Sequence, residues 1–110
     1  MKIEKTQNGD FLQLTISGDL DASSSIKMDE VLCEAYTNPQ YTVHIDCTQL
    51  NYISSAGVGV FISHLENFER QQGSIILCNT QPHVYNVFEM LGLLNLMKIY
   101  KHEIPFSSME

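Results

Sequence analysis

Three times along this chain a run with the periodicity of a strand gives way, across a short junction, to apolar residues at helical spacing. Residues 11–17 (FLQLTIS) alternate, with Leu12, Leu14 and Ile16 on one face and Gln13, Thr15 and Ser17 on the other. Met28, Val31, Leu32 and Ala35 follow at the i, i+3, i+4, i+7 spacing of a helix. Residues 41–47 (YTVHIDC) alternate again, Val43, Ile45 and Cys47 against Thr42, His44 and Asp46, before Val58, Phe61, Ile62, Leu65 and Phe68 form a second helical stripe. Residues 74–78 (SIILC) are nearly continuously apolar and precede a third stripe, Val84, Val87, Phe88 and Leu91. Strands joined through helices run parallel, because a crossover of that length returns the chain to the same edge of the sheet.

The junctions set the boundaries. KIEKT followed by Asn8-Gly9-Asp10 predicts a short first strand and a hairpin turn, hence an antiparallel opening pair. The first helix is expected over residues 22–37, capped by one of the hydroxyls of Ser23, Ser24 and Ser25 and stopped near Asn38-Pro39. The second starts at Ser54 and Ser55 and stops at Gln71-Gln72-Gly73. Asn79-Thr80-Gln81-Pro82 forms a cap and proline entry to the third, which Gly92 closes. Residues 96–102 (LMKIYKH) are expected as a last strand, with residues 103–110 as a loosely ordered tail or short terminal helix. Because two strands keep a polar face, the helices are expected on one side of the sheet, with the other side partly exposed.

A chain of 110 residues suits one domain, 1–110, with its core over about 11–101. Thirteen acidic against six basic residues give a net charge of −7, and the basic ones (Lys2, Lys5, Lys27, Arg70, Lys98, Lys101) are scattered. That distribution argues against nucleic acid and against a polybasic membrane contact. Cys33, Cys47 and Cys78 form no Cys-x-x-Cys pair and sit among apolar residues, so they are expected as small buried hydrophobes. No apolar run reaches the length of a signal peptide or a membrane span, and a cytoplasmic location is expected.

Few residues carry the marks of chemistry. Ser54 and Ser55 lie outside any Gly-x-Ser-x-Gly motif, and GVGVF lacks the third glycine of a dinucleotide fingerprint. His44, His64, His83 and His102 show no ligand spacing, and His44 with Asp46 on one strand face suits a solvated surface, so no metal is expected. Asp46 at a strand end raises a phosphate-accepting receiver, which the alternation of its strand and the missing acidic pair after the first strand oppose. Asp19 and Asp21, in GDLD, are placed near one end of the sheet, where turn formation and helix capping compete with a functional role. A serine at 54 or 55 would cap a helix, worth about 1 kcal/mol, and a helix N-terminus also accommodates an anion such as phosphate. Gly57 and Gly59 permit close approach, either by a partner or by a neighbouring strand.

LTISGDLDASSS, VHIDCTQLNYISSAGVGVFI and RQQGSIILCNTQPHVYNVFEMLGLLNLMKIY together resemble the STAS domain of bacterial anti-sigma factor antagonists, over about residues 11–101. The most specific part is Gly-Asp-Leu-Asp, then Asp-x-Thr-x-Leu leading into Ser-Ser-x-Gly-Val-Gly, then Leu-Gly-Leu. The resemblance implies an α/β fold of STAS type, a mixed four- to five-stranded sheet with helices packed mainly on one face. It implies a regulator without catalysis or cofactor that works by partner switching. Unphosphorylated, such a domain binds an anti-sigma factor that is also a GHKL-type serine kinase. Phosphorylation on serine releases it, and a PP2C-type phosphatase reverses the step.

Carried onto this sequence, the resemblance puts the phosphoacceptor on Ser55, two residues before Gly57. Ser54 takes the place of an aspartate found in the founding members and offers a second, less favoured hydroxyl. Asp19, Asp21, Asp46, Ser54, Ser55, Ala56 and Gly57 become the expected partner-contact residues. A second reading makes the domain a nucleotide- or ligand-binding sensor or scaffold with a non-sigma output, against which stands the lack of a basic or glycine-rich phosphate cradle. A monomer is expected, since the exposed sheet face is polar.

Overall fold

The computed structural model describes residues 1–8, 11–37, 42–70 and 73–102. In chain order the elements are β1 (Lys2–Asn8), β2 (Phe11–Leu20), α1 (Ala22–Thr37), β3 (Thr42–Ile53), α2 (Ser55–Arg70), β4 (Ser74–Cys78), α3 (Pro82–Met90), a 3-10 turn (Leu93–Asn95) and β5 (Lys98–Ile99). The five strands lie in the order β1-β2-β3-β4-β5. β1 is antiparallel to β2, and each later neighbour is parallel. This is the mixed α/β sheet with crossover helices that the periodicity predicts. The Gly9-Asp10 turn, the Asn38-Pro39 stop, Gln71-Gln72 and the tail 103–110 lie outside the described residues.

One apolar cluster unites the inward strand positions, such as Leu14, Ile16, Val43, Ile45, Ile75 and Leu77, with side chains from all three helices. Phe61 of α2 and Phe88 of α3 meet there with ring centroids 6.4 Å apart, a tilted packing that aromatic rings prefer. The helices therefore share one face of the sheet, as expected. The other face is less wet than the alternation suggests. His44, placed there as a surface residue, is buried, as are Ile76 beside it on β4 and Cys78. Alternation reports which face a residue is on, and leaves open how much of that face water reaches.

The helices correct several other expectations. The cap of α1 is not one of the serines but Asp21, in the capping role weighed for it from the sequence: its Oδ1 accepts from the backbone N–H of Ser23 (3.1 Å) and of Ser24 (3.0 Å). Ser24 reciprocates, its Oγ accepting from Asp21 N–H at 2.9 Å, a capping box closed between two short side chains. On α2, Ile62 falls outside the buried arc and is 45% exposed, while His64 is buried and its Nε2 meets Asp29 Oδ1 of α1 at 2.7 Å. Leu91 is 51% exposed because α3 ends at Met90, where Gly92 at φ 77° turns the chain away. Cys33 is exposed on α1, whereas Cys47 and Cys78 are buried, and burial pushes the Cys47 thiol well up. Among the described residues no helix is long and apolar enough to cross a membrane.

The largest departure is β3, which does not stop at Cys47 but runs on to Ile53. Against β2, Thr15 pairs with Asp46 and Ser17 with Gln49, then Gly18 with Leu50 and Asp19 with Tyr52, so β3 carries two extra residues. Each is a bulge that resets which side chain points inward. Burial accordingly falls on Cys47, Leu50 and Ile53, every third residue, with Thr48, Gln49, Asn51 and Tyr52 outside.

β4 does not follow β3 into this extension: their pairing ends at Asp46 and Cys78. The start of α3 takes over instead. Gln81 makes no side-chain cap for its own helix; its Nε2 donates to Thr48 O (2.9 Å) and Asn51 Oδ1 (3.2 Å), and His83 Nε2–H donates to Asn51 O (2.6 Å). On the other flank, β5 is short, but Tyr100 N–H to Leu77 O, Thr80 N–H to Tyr100 O and Asn79 N–H to His102 O continue its pairing beyond Ile99.

Asp46 marks the fork between β3 and β4. Its Oδ1 accepts from Thr48 Oγ1 (2.6 Å), Thr48 N–H (3.0 Å) and Asn79 Nδ2 (3.2 Å), and Asn79 has the positive φ of 54° with which β4 leaves the ladder. Burial pushes this carboxyl up, but the hydrogen bonds and the nearby His44 outweigh burial and hold it below its usual range. The contribution of Asp46 is thus complete above the ordinary carboxylate range and is lost as pH falls through its lower folded value. Asp46→Ala is expected to cost about 1–3 kcal/mol in urea unfolding at neutral pH. The deficit relative to the unsubstituted chain should shrink as pH falls below about 4.

Candidate functional site

β2 and β3 end side by side, and a helix begins directly after each. Leu20 pairs with Ile53 at the last rung; Asp21 caps α1 immediately after Leu20, and Ser54 precedes α2 immediately after Ile53. Asp19 pairs with Tyr52 one rung earlier. This edge gathers Asp19, Asp21, Ser54, Ser55, Ala56 and Gly57, six of the seven residues singled out from the sequence. It does not gather Asp46, which lies seven residues before Ile53, roughly 20 Å back along the strand.

The two serines have different environments. Ser54 is half-buried and is the cap of α2: its Oγ accepts from Gly57 N–H at 3.2 Å and its carbonyl accepts from Val58 N–H at 3.0 Å. Its N–H (2.9 Å) and Oγ–H (3.2 Å) both donate to the carbonyl of Leu20. Ser55, the first helical residue, is exposed, and its hydroxyl makes no hydrogen bond among the described residues. Its oxygen is therefore open to solvent at the positive end of a helix dipole.

Around this edge the charge is acidic. Asp19 is exposed, and Ser24, foremost among the donors to Asp21, holds the Asp21 carboxyl below its usual range. No lysine or arginine occupies the first turn of α1 or of α2. Ile26 (65% exposed), Tyr52 (52%) and Ile62 (45%) add apolar surface on α1, β3 and α2. The sequence pattern singles out none of the three for a site; the spacing places Ile62 in the core stripe, and nothing in it distinguishes a surface isoleucine from a core one. Among the described residues no group of three His, Cys, Asp or Glu could hold a metal ion. Two surface hollows, of about 170 and 340 Å³, are lined by other residues, Leu65, Phe68, Ile75 and Met97 among them in the first and Asp29, Glu30, Cys33 and Glu34 in the second.

The two glycines also separate. A Cβ on Gly57 would lie 2.7 Å from Leu20 Cγ, 3.0 Å from Leu20 O and 3.1 Å from Ile53 Cγ1, so this residue lets the first turn of α2 press against the strand ends. Gly59 is exposed with nothing within 4 Å of such a Cβ. Gly57→Ala is expected to destabilise the fold by about 1–3 kcal/mol through overpacking. Gly59→Ala is expected to stabilise it by up to about 1 kcal/mol through helix propensity. Paired urea titrations of the two variants check both signs.

The profile of the STAS domain family matches residues 2–103. The anti-sigma-B factor antagonist of Listeria monocytogenes is 25% identical over 95 residues, 86% of this chain and 83% of that protein. Among solved structures, the anti-sigma factor antagonist SpoIIAA in its unphosphorylated form aligns with a TM-score of 0.80 at 19% identity, covering 98% of this chain and 92% of that one. The Bacillus cell-fate determinant SpoIIAA in the phosphorylated form aligns with a TM-score of 0.72 at 19% identity, covering 98% and 96%. At these identities the structures speak for the fold alone.

Proposed function

The chain belongs to the STAS domain family, and on that premise we propose that it is a non-catalytic regulator of the anti-sigma factor antagonist kind. Its partner is an anti-sigma factor that is also a GHKL-type serine kinase, and a PP2C-type phosphatase reverses the modification. The observation that carries the acceptor assignment is the difference between the two serines. Ser54 uses its hydroxyl on the helix cap, whereas Ser55 presents an exposed oxygen without a hydrogen bond among the described residues at the first helical position. The names of the relatives, anti-sigma-B factor antagonist and SpoIIAA in phosphorylated and unphosphorylated forms, support the same reading.

In the unphosphorylated state the partner meets an edge of Asp19, Asp21, Ser55 and Ala56, flanked by Ile26, Tyr52 and Ile62. Gly57 acts from beneath, by letting α2 seat on the strands. A partner surface with an apolar patch that packs closely over Ser55 complements this composition. On phosphorylation the γ-phosphoryl group of ATP passes to Ser55 Oγ. The new Oγ–P bond forms, the bond from the γ-phosphorus to the bridging oxygen breaks, ADP leaves, and the hydroxyl proton goes to a base on the kinase. The product carries about −1.5 to −2 more charge. With Asp19 and Asp21 beside it and no lysine or arginine in either first turn, that charge is left without a partner inside the domain, and the complex separates.

The test is incubation of the purified chain with its cognate serine-kinase anti-sigma factor and ATP, followed by site mapping by mass spectrometry. Phosphate is expected on Ser55 and on no other residue, and Ser55→Glu is expected to weaken binding to the kinase at least ~10-fold, about 1.4 kcal/mol. Labelling that survives Ser55→Ala unchanged would remove the acceptor assignment.

A further inference from the structure

We infer that Ser54 is a positioning residue for Ser55, acting through the one property an aspartate at that place lacks: a hydroxyl proton to donate. The inference rests on the assignment of Ser55 as acceptor and concerns how its oxygen is held.

The carbonyl of Leu20 ends β2 and receives two hydrogen bonds, both from Ser54: the N–H at 2.9 Å and the Oγ–H at 3.2 Å. The same Oγ accepts from Gly57 N–H at 3.2 Å. A serine hydroxyl has one proton and two lone pairs, so one atom can bridge a strand carbonyl and a helix N–H at once. An ionised carboxylate can accept from Gly57 but cannot donate, and next to Leu20 O it would set oxygen against oxygen. Gly57 is pressed against the same carbonyl, with its missing Cβ 3.0 Å from it. Leu20 O is thus where the end of β2, the cap of α2 and the first turn of α2 meet, and Ser55 lies inside that turn. Asp21, the next residue along from Leu20, caps α1, so the same bridge fixes the start of one helix relative to the other.

Transfer to Ser55 requires its oxygen to be held in line with the donor phosphorus, and a turn with one anchor removed samples other orientations. Loss of the bridge should therefore appear in the chemical step and not in encounter. With the kinase that labels the unsubstituted chain, Ser54→Ala is expected to lower kcat for Ser55 labelling about 10-fold while KM changes less than about 2-fold. Ser54→Thr, which keeps the hydroxyl, is expected to restore kcat to within about 3-fold. Ser54→Asp, which caps but cannot donate, is expected to fall with alanine.

All four proteins are compared at a temperature where urea titration shows each to be folded, and amide hydrogen exchange at Gly57 is measured alongside. Gly57 exchange is expected to accelerate in the alanine variant, which loses the acceptor, and to stay near the unsubstituted rate in the threonine variant. Phosphate on Ser54 of the unsubstituted chain overturns the inference, as does a kcat for the alanine or aspartate variant equal to that of the unsubstituted chain. If the unsubstituted chain takes no phosphate on Ser55, the acceptor assignment fails and this role with it. If it is labelled there and the variants are indifferent, only the role of Ser54 fails.

Discussion

The parallel ladder between β2 and β3 decides where everything else in this domain can go. Both strands reach the same edge at Leu20 and Ile53, and because the chain leaves each of them directly into a helix, two helix N-termini are forced to start together. Strict alternation beyond Cys47 would turn Gln49 and Asn51 toward the core on the way to that edge. The two bulged residues after Asp46 shift the inward positions to Cys47, Leu50 and Ile53 and keep the core face dry to the end of the strand. They also carry β3 past the end of β4, so that the start of α3, through Gln81 and His83, supplies hydrogen bonds where a neighbouring strand is missing. Placement of the serines, acids and third helix all follows from that extension.

At the shared edge the fold itself caps both helix starts. The first backbone N–H groups of a helix need acceptors, and here one helix takes a carboxylate, Asp21, and the other a hydroxyl, Ser54. Had both caps been acidic, the edge would carry one more fixed negative charge beside Ser55. With one neutral cap, the charge that a phosphate on Ser55 would add is a larger fraction of what a partner would meet. Asp21 is more than a surface acid available for contact: its hydrogen bonds to Ser23 and Ser24 are part of α1, and the donors that lower its pKa also keep it ionised.

Much of this was legible in the sequence because period and turn chemistry agree there. The order of strands and helices, the antiparallel opening pair, the common face of the helices and the doubled serine at the start of α2 all follow from Leu12 to Ile16, Met28 to Ala35, and the junctions between them. What could not be read depends on context beyond one element. Cys47-x-x-Leu50-x-x-Ile53 has a period of three, which belongs neither to a flat strand nor to a helix and acquires meaning only against a partner strand with fewer residues. His44 is polar in the sequence and buried in the fold. Asp46 looks like a strand-end acid until the strand continues beyond it and its carboxylate is found closing the fork toward Asn79. Asp21 and the three serines after it are all good caps by type, and only the path of the chain out of β2 selects the aspartate. The two glycines of GVG are equivalent on paper, and contact with Leu20 separates them.

The division of work between neighbouring serines bears on how such a site could be reversed many times without damage. A phosphate on the capping serine would replace the proton that Ser54 donates to Leu20 and push anionic oxygens toward a carbonyl, loosening α2 from the sheet. On Ser55 the same group would extend into solvent from a residue whose hydroxyl makes no hydrogen bond among the described residues, so none of their bonds would be broken in adding it or remade in removing it. On the proposed assignment the fold below, with Gly57 against Leu20 and the core from Leu14 to Phe88, would then stay the same in both states, and the difference would reach the partner as charge and bulk alone. A domain that signals in this way needs a rigid edge more than a mobile one. At this edge a single carbonyl, that of Leu20, receives two hydrogen bonds from one residue, Ser54.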